Sequence, residues 1–108
     1  MKILAVMVRR LNEGVDYAQF RAAWLPDEIV PGDPRVVLSA VNLEDPRDLC
    51  TLAIIDDAEP EDIPVWMERI APIERRRYER IKDLVSEPTV NAAYQVVAED
   101  KLGEPIAA

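Results

Sequence analysis

Apolar side chains fill both sides of the first extended segment. In Lys2 to Arg10 (KILAVMVRR), Ile3, Ala5 and Met7 share one face ending at Arg9, and Leu4, Val6 and Val8 share the other, ending at Arg10. This predicts a strand covered on both sides. Leu11 to Val15 reads as a loop that turns at Gly14. Asp16 stands three residues before Gln19, the spacing of a capping box, and Tyr17, Phe20 and Trp24 follow as one helical stripe. That helix must end at Trp24 or Leu25, because Pro26 disfavours helical backbone in the residue before it.

Pro26 to Pro34 is a stiff loop with an expected helical turn at Asp27 to Ile29. Arg35 to Leu43 is strand-like, with Val37, Ser39 and Val41 on one face and Val36, Leu38 and Ala40 on the other. Glu44 to Asp48 is a turn with Pro46 at its second position, and Leu49 to Asp56 returns as a strand, making a hairpin. Asp57 to Asp62 forms an acidic entry to a second helix, favoured by the helix dipole. Ile63, Trp66 and Ile70 keep helical spacing up to Pro72, which should kink or split the helix. Ile73, Arg77, Ile81 and Leu84, with Tyr78 and Val85, extend the stripe. After Pro88, Thr89 to Glu99 reads as a final strand, and the tail at 100–108 as loosely structured. Residues 1–108 thus read as one α+β domain.

The order β-α-β-β-α-β with two right-handed crossovers predicts a ferredoxin-like fold. Its four-stranded antiparallel sheet has the order 4-1-3-2, which puts the two most continuously apolar strands in the centre. Both helices of this topology cover the same side, so the other face should carry polar residues if it met water. It does not: Leu49, Ala53 and Ile55 oppose Cys50, Leu52 and Ile54, with Thr51 the only polar interruption. A bare patch of about eight aliphatic side chains exceeds what monomers usually expose. Covering about 600 Å² contributes on the order of 15 kcal/mol per subunit before association costs. The expected partner is therefore a second copy, sheet to sheet.

The element order, the apolar first strand, the short aromatic helix and the final strand before a loose tail together resemble the dimeric α+β barrel superfamily. That group includes antibiotic-biosynthesis-type monooxygenases, muconolactone-isomerase-like proteins and stress-responsive barrel proteins. The resemblance implies a homodimer whose two sheets enclose a barrel, with pockets between sheet and helices. Its haem-dependent members use histidine ligands, and this sequence has no histidine. The long, proline-broken second helix departs from the compact version of the family.

Composition narrows the chemistry further. Thirteen basic against twenty-one acidic residues give a net charge of −8, a field that repels phosphate backbones, so no nucleic-acid partner is expected. The single cysteine, Cys50, excludes an internal disulfide and reads as a buried strand residue. The first apolar run, broken by Arg9 and Arg10, is too short for a signal peptide or membrane span, so a cytoplasmic protein is expected. No triad, Gly-rich phosphate loop or metal cluster is present in the pattern, and no cofactor is predicted. Asp56 and Asp57 are adjacent carboxylates that point to opposite strand faces, which does not make them a catalytic pair.

The residues left for chemistry suit a mostly apolar pocket with a few polar handles. On the last strand, Asn91, Ala93 and Gln95 oppose Val90, Ala92, Tyr94 and Val96, and the more apolar second set is expected to face the helices. Ser39, Thr51, Asn91 and Gln95 would then line the pocket. Arg9 or Arg10 should point into the space beside Met7, where a guanidinium could hold a carboxylate or enolate. Trp24, with Tyr17, Trp66 and Tyr78, could stack a flat aromatic molecule. Glu74 to Lys82 (ERRRYERIK) reads as a solvated helix face laced by pairs such as Arg75 with Glu79. The expected activity is binding of an apolar aromatic or lactone-like small molecule, with cofactor-free oxygenation or isomerisation as the accompanying chemistry. The alternative is a non-catalytic dimer whose interior is filled by its own side chains.

Overall fold

The alternating segments are realised as one antiparallel sheet roofed on one side by two helices. The computed structural model describes residues 1–106. In chain order the elements are β1 (Ile3–Arg10), α1 (Tyr17–Trp24), β2 (Val36–Val41), β3 (Asp48–Ile55), α2 (Asp62–Ile81) and β4 (Val90–Gln95). The strands lie side by side as β2-β3-β1-β4, the predicted order, with β1 and β3 central. This is the ferredoxin-like α+β arrangement.

Local chemistry sets each boundary. Asp16 accepts a hydrogen bond from the Gln19 amide at 2.8 Å, and the Gln19 side chain accepts one from the Asp16 amide at 3.0 Å, so the capping box is closed. Leu25, before Pro26, is extended at ψ 137°, and α1 stops there. Gly14 turns the preceding loop at φ 82°. In the hairpin the Asp48 amide donates to the Asp45 carbonyl at 3.0 Å across Pro46, a turn with proline at its second position.

The structure differs from the sequence expectation in six places. Pro72 does not split α2, which runs unbroken for 20 residues; burial of Ile73, Arg77 and Ile81 just beyond it outweighs one missing hydrogen bond. The helix ends at Ile81, not Val85, because Leu84 and Val85 turn to lie along the end of β1: the Asn12 amide donates to the Leu84 carbonyl at 2.9 Å, and Val85 bridges Leu11. β4 ends at Gln95, not Glu99: its ladder with β1 closes at the Ile3–Gln95 pair, where β1 begins. Asp27 to Ile29 bends without forming a helical turn. Strand β2 is also shorter than Arg35 to Leu43, and β3 is displaced one residue towards the N-terminus.

The packed core sits at one end of the sheet. Leu11, Phe20 and Leu49, each no more than 1% exposed, join Ile81 and Val85 where α1 and the end of α2 meet the ends of β1 and β3. Among the described residues, no helix or strand covers the sheet's other face. Register aligns Val36, Ile54, Leu4 and Tyr94 across it, then Leu38, Leu52, Val6 and Ala92, then Ala40, Cys50, Val8 and Val90. Val36, Leu38 and Tyr94 are more than half exposed. The chain is accordingly a slab of 49 × 37 × 21 Å. Its radius of gyration is 15.9 Å, against about 13 Å for a compact chain of this length.

The tail leaves the sheet after the Val96 amide donates to the Lys2 carbonyl at 2.9 Å. From Asp100 to Ile106 it forms no helix or strand, and its last two residues lie outside the described residues. No helix is long and apolar enough to cross a membrane among the described residues.

Leu49 is wholly buried in the cluster that joins both helices to the sheet. Leu49→Ala should lower unfolding free energy by about 2–5 kcal/mol in urea titration followed by circular dichroism. A loss below about 1 kcal/mol would show that this cluster does not carry the fold.

Candidate functional site

Between the helix layer and the middle of the sheet the packing opens. The odd-numbered residues of β1 face the helices: Leu11 and Ile3 are buried there, and the Arg9 guanidinium lies 5.3 Å from the centroid of the Phe20 ring. Between these ends the inward positions are small. Ala5, Ala53 and Ala93 form one cross-strand row, and Ala5 is exposed although it lies on a central strand. Short side chains leave the floor low, and a cleft of about 280 Å³ results. Its walls include Arg9, Trp24, Arg35, Thr51, Glu74, Arg77, Tyr78 and Asn91. A second lobe of about 240 Å³ extends towards Lys82 and Ser86 and shares Met7, Arg9, Tyr78, Ile81 and Asn91 with the first.

The orientation of β4 reverses the sequence expectation. Asn91 pairs with Met7, which pairs with Thr51, which pairs with Ser39, so these four residues form one row on the helix side. Val90, Ala92 and Tyr94 therefore lie on the bare outer face. The expectation put the more apolar set under the helices; the register shared with β1 instead puts it on the unroofed face, which gathers the continuous apolar rows. Of the expected site residues, Arg9, Trp24, Thr51 and Asn91 meet at the cleft. Ser39 is exposed on the edge strand and Gln95 lies at the far end of β4, opposite Ile3; neither lines it. Arg10 points to the other face and pairs with Asp45 at 2.6 Å.

The remaining aromatic and acidic candidates lie elsewhere. Tyr17 packs on Phe20 with ring centroids 6.3 Å apart. Trp66 belongs to a pocket of about 140 Å³ at the opposite end of the sheet, rimmed by Asp57 and Asp62. Asp56 pairs with Lys2 at 3.3 Å. Cys50 is half-buried on the outer face. No cluster of histidine, cysteine or carboxylate side chains suited to a metal ion occurs among the described residues. A broad depression of about 870 Å³ along α2 has no buried side chain in its lining.

The basic run on α2 is solvated at Arg75, Arg76, Glu79 and Lys82, but not at Arg77. Arg77 is buried, its guanidinium stacked 4.5 Å from the Trp24 ring centroid, and its Nε donates to the Trp24 carbonyl at 2.7 Å. Its Nη1 donates to both Glu74 carboxylate oxygens, at 2.9 and 2.8 Å. Arg80 donates to the Ala23 and Leu25 carbonyls, at 2.9 Å each. Arg76 pairs with Asp27 at 2.7 Å and Glu28 at 3.1 Å. Three successive carbonyls at the end of α1 thus receive guanidinium donors, the end of a helix where cations are favourable. Glu79 pairs with Lys82 at 2.7 Å and not with Arg75. The signal for Arg77 was present in the sequence, since an arginine on a stripe with Ile73 and Ile81 faces inward.

Arg35 completes the site's polar wall. It holds Asp33 at 2.8 Å and reaches Glu74 at 3.2 Å. Glu74 is shared between Arg35 and Arg77, so the cleft lining carries three arginines and one carboxylate. Burial, and then the neighbouring charge of Arg77, lowers the pKa of Arg9. Burial likewise lowers that of Arg77, with Glu74 opposing. The hydrogen bonds from Arg35 hold the Asp33 carboxyl below the usual carboxylate range.

Fold and site together define a ferredoxin-like α+β protein with a basic cleft between its sheet and its helices. No family model and no curated protein matches the chain. In a comparison with solved structures, it matches a crystal structure from Chloroflexus aurantiacus J-10-fl, provisionally described as an antibiotic biosynthesis monooxygenase, with a TM-score of 0.65 over 95% of this chain and 100% of that one. At 14% identity the likeness is one of fold.

Arg77→Ala should destabilise by about 3–5 kcal/mol, since it strips partners from Glu74 and the Trp24 carbonyl, whereas the exposed Arg75→Ala should stay within about 0.5 kcal/mol; urea denaturation compares the two. The depressed Asp33 pKa adds stability above the ordinary aspartate value of about 3.9, and that stability is lost as pH falls through the folded-state value. The stability gap between wild type and Asp33→Asn should be full at pH 6 and shrink below about pH 4. A gap that does not narrow on acidification would show that the ion pair with Arg35 is not its source.

Proposed function

We propose that this chain forms a homodimer, sheet to sheet, and binds a flat, largely apolar small molecule in the cleft between its sheet and helices. The chemistry suited to such a site is cofactor-independent oxygenation or isomerisation of an aromatic or lactone-like substrate. The observation that carries this reading is the exposed Ala5. A central strand under a helix layer normally buries its inward side chains, and here a row of alanines leaves a floor for a planar guest. Trp24 and Tyr78 on the walls suit an aromatic guest, and Thr51 and Asn91 offer sparse polar handles. The alternative, a non-catalytic dimer with a filled interior, gives no reason for that floor to be open.

The twelve apolar residues aligned on the outer face support the second copy. In that arrangement residues 1–108 act as one domain. The provisional name of the fold relative from Chloroflexus aurantiacus J-10-fl favours oxygenation over isomerisation.

Sedimentation equilibrium should find twice the 12.2 kDa chain mass, and Leu38→Asp should return the monomer. A screen of phenols and lactones by thermal shift should find stabilisation of about 2.7 kcal/mol at a hundred times the dissociation constant. Ala53→Leu, which raises the cleft floor, should abolish that shift. A monomeric wild type together with no shift from any aromatic compound would overturn the reading.

A further inference from the structure

The geometry points to an anionic oxygen as the group that Arg9 receives in the cleft, so that the guest is a planar molecule bearing a carboxylate or an enolate-like oxyanion. This rests on the cleft being a small-molecule site and names the chemistry of its guest. The Arg9 side chain makes no hydrogen bond among the described residues, and no carboxylate oxygen of theirs lies within 4.0 Å of its guanidinium nitrogens. Its Nε is buried without a partner. A half-buried guanidinium whose Nε is shut off from water without a partner carries a cost that an arriving anion removes. The other arginines of the cleft are already engaged: Arg35 holds Asp33, and Arg77 takes both oxygens of Glu74. Arg9 instead lies over the Phe20 ring, which fixes its plane without neutralising its charge.

A second buried orphan stands close by. Thr51 Oγ1 also has no partner and lines the same cleft. Thr51, Met7 and Asn91 form one cross-strand row, and Arg9 lies two residues along β1 on the same face. Neighbours in such a row are about 4.5–5.5 Å apart. An oxygen held above Met7 is therefore within reach of a guanidinium N–H, a hydroxyl and a carboxamide N–H. The two lobes of the cleft meet at Arg9, Met7 and Asn91, which puts the charged oxygen at the waist and the apolar body in a lobe. Glu87 rims the second lobe but is exposed and makes no ion pair with Arg9. The location is notable for its sign: the chain carries −8, so a basic interior selects an anion that the surface would otherwise repel.

The test compares 2-naphthoate with its neutral isostere 2-naphthamide by isothermal titration calorimetry. Wild type should bind the acid at least about tenfold more tightly, the scale of a charge-assisted hydrogen bond. Arg9→Gln should erase that preference, and Arg9→Lys should retain part of it. Circular dichroism and urea denaturation of each variant check that it is folded. Equal affinity for acid and amide in wild type would overturn the anion assignment and leave the cleft reading standing. A preference that survives Arg9→Gln would overturn the role of Arg9. Binding of neither compound would overturn both.

Discussion

The arrangement depends on one buried cation. Arg77 is fixed at four places: the Trp24 carbonyl, the two oxygens of Glu74 and the face of the Trp24 ring. Each contact joins α2 to the last turn of α1 or to its own previous turn. An arginine so held cannot slide, because each of its donors would lose a partner and a buried unpaired charge costs several kcal/mol. Arg80 and Arg76 extend the same clamp to the neighbouring carbonyls and to Asp27. The helix layer is thereby set as a unit above the sheet.

With the helices held to each other, their grip on the sheet can be local. Phe20, Leu11, Leu49, Ile81 and Val85 supply it at one end. The middle of the sheet is released from packing duty, and alanines on three adjacent strands occupy it. A cleft so made is lined by the cations that clamp the roof, which is how an acidic chain comes to hold a basic interior. The sheet's two faces thus do different things. One carries short and polar side chains under a roof at its middle, and the other carries uninterrupted apolar rows.

Much of the architecture was legible from periodicity. Alternation over two residues and stripes over three to four residues are local patterns, and the six elements, their order and the capping box at Asp16 all follow from them. Arg9 beside Met7 was legible for the same reason, since strand parity alone puts the two on one face. The side of the sheet to which β4 turns Asn91 was not. Parity separates Asn91, Ala93 and Gln95 from Val90, Ala92 and Tyr94, but which set meets the helices depends on a register shared with β1 and on where the roof ends. Helix ends failed similarly: the stripe continues to Val85, yet Val85 is claimed by Leu11, a residue more than seventy positions earlier.

By itself, then, the sequence determined elements, topology and the surplus of apolar surface, because those depend on the order and spacing of side chains along the chain. Tertiary structure alone decided which carbonyls and carboxylates Arg76, Arg77 and Arg80 would clamp, that Ser39 and Gln95 would lie outside the cleft that Thr51 and Asn91 line, and that the Arg9 side chain would be left without an anion among the described residues. Those outcomes are set by distances between residues far apart in the chain. No local pattern encodes whether a buried charge finds its partner.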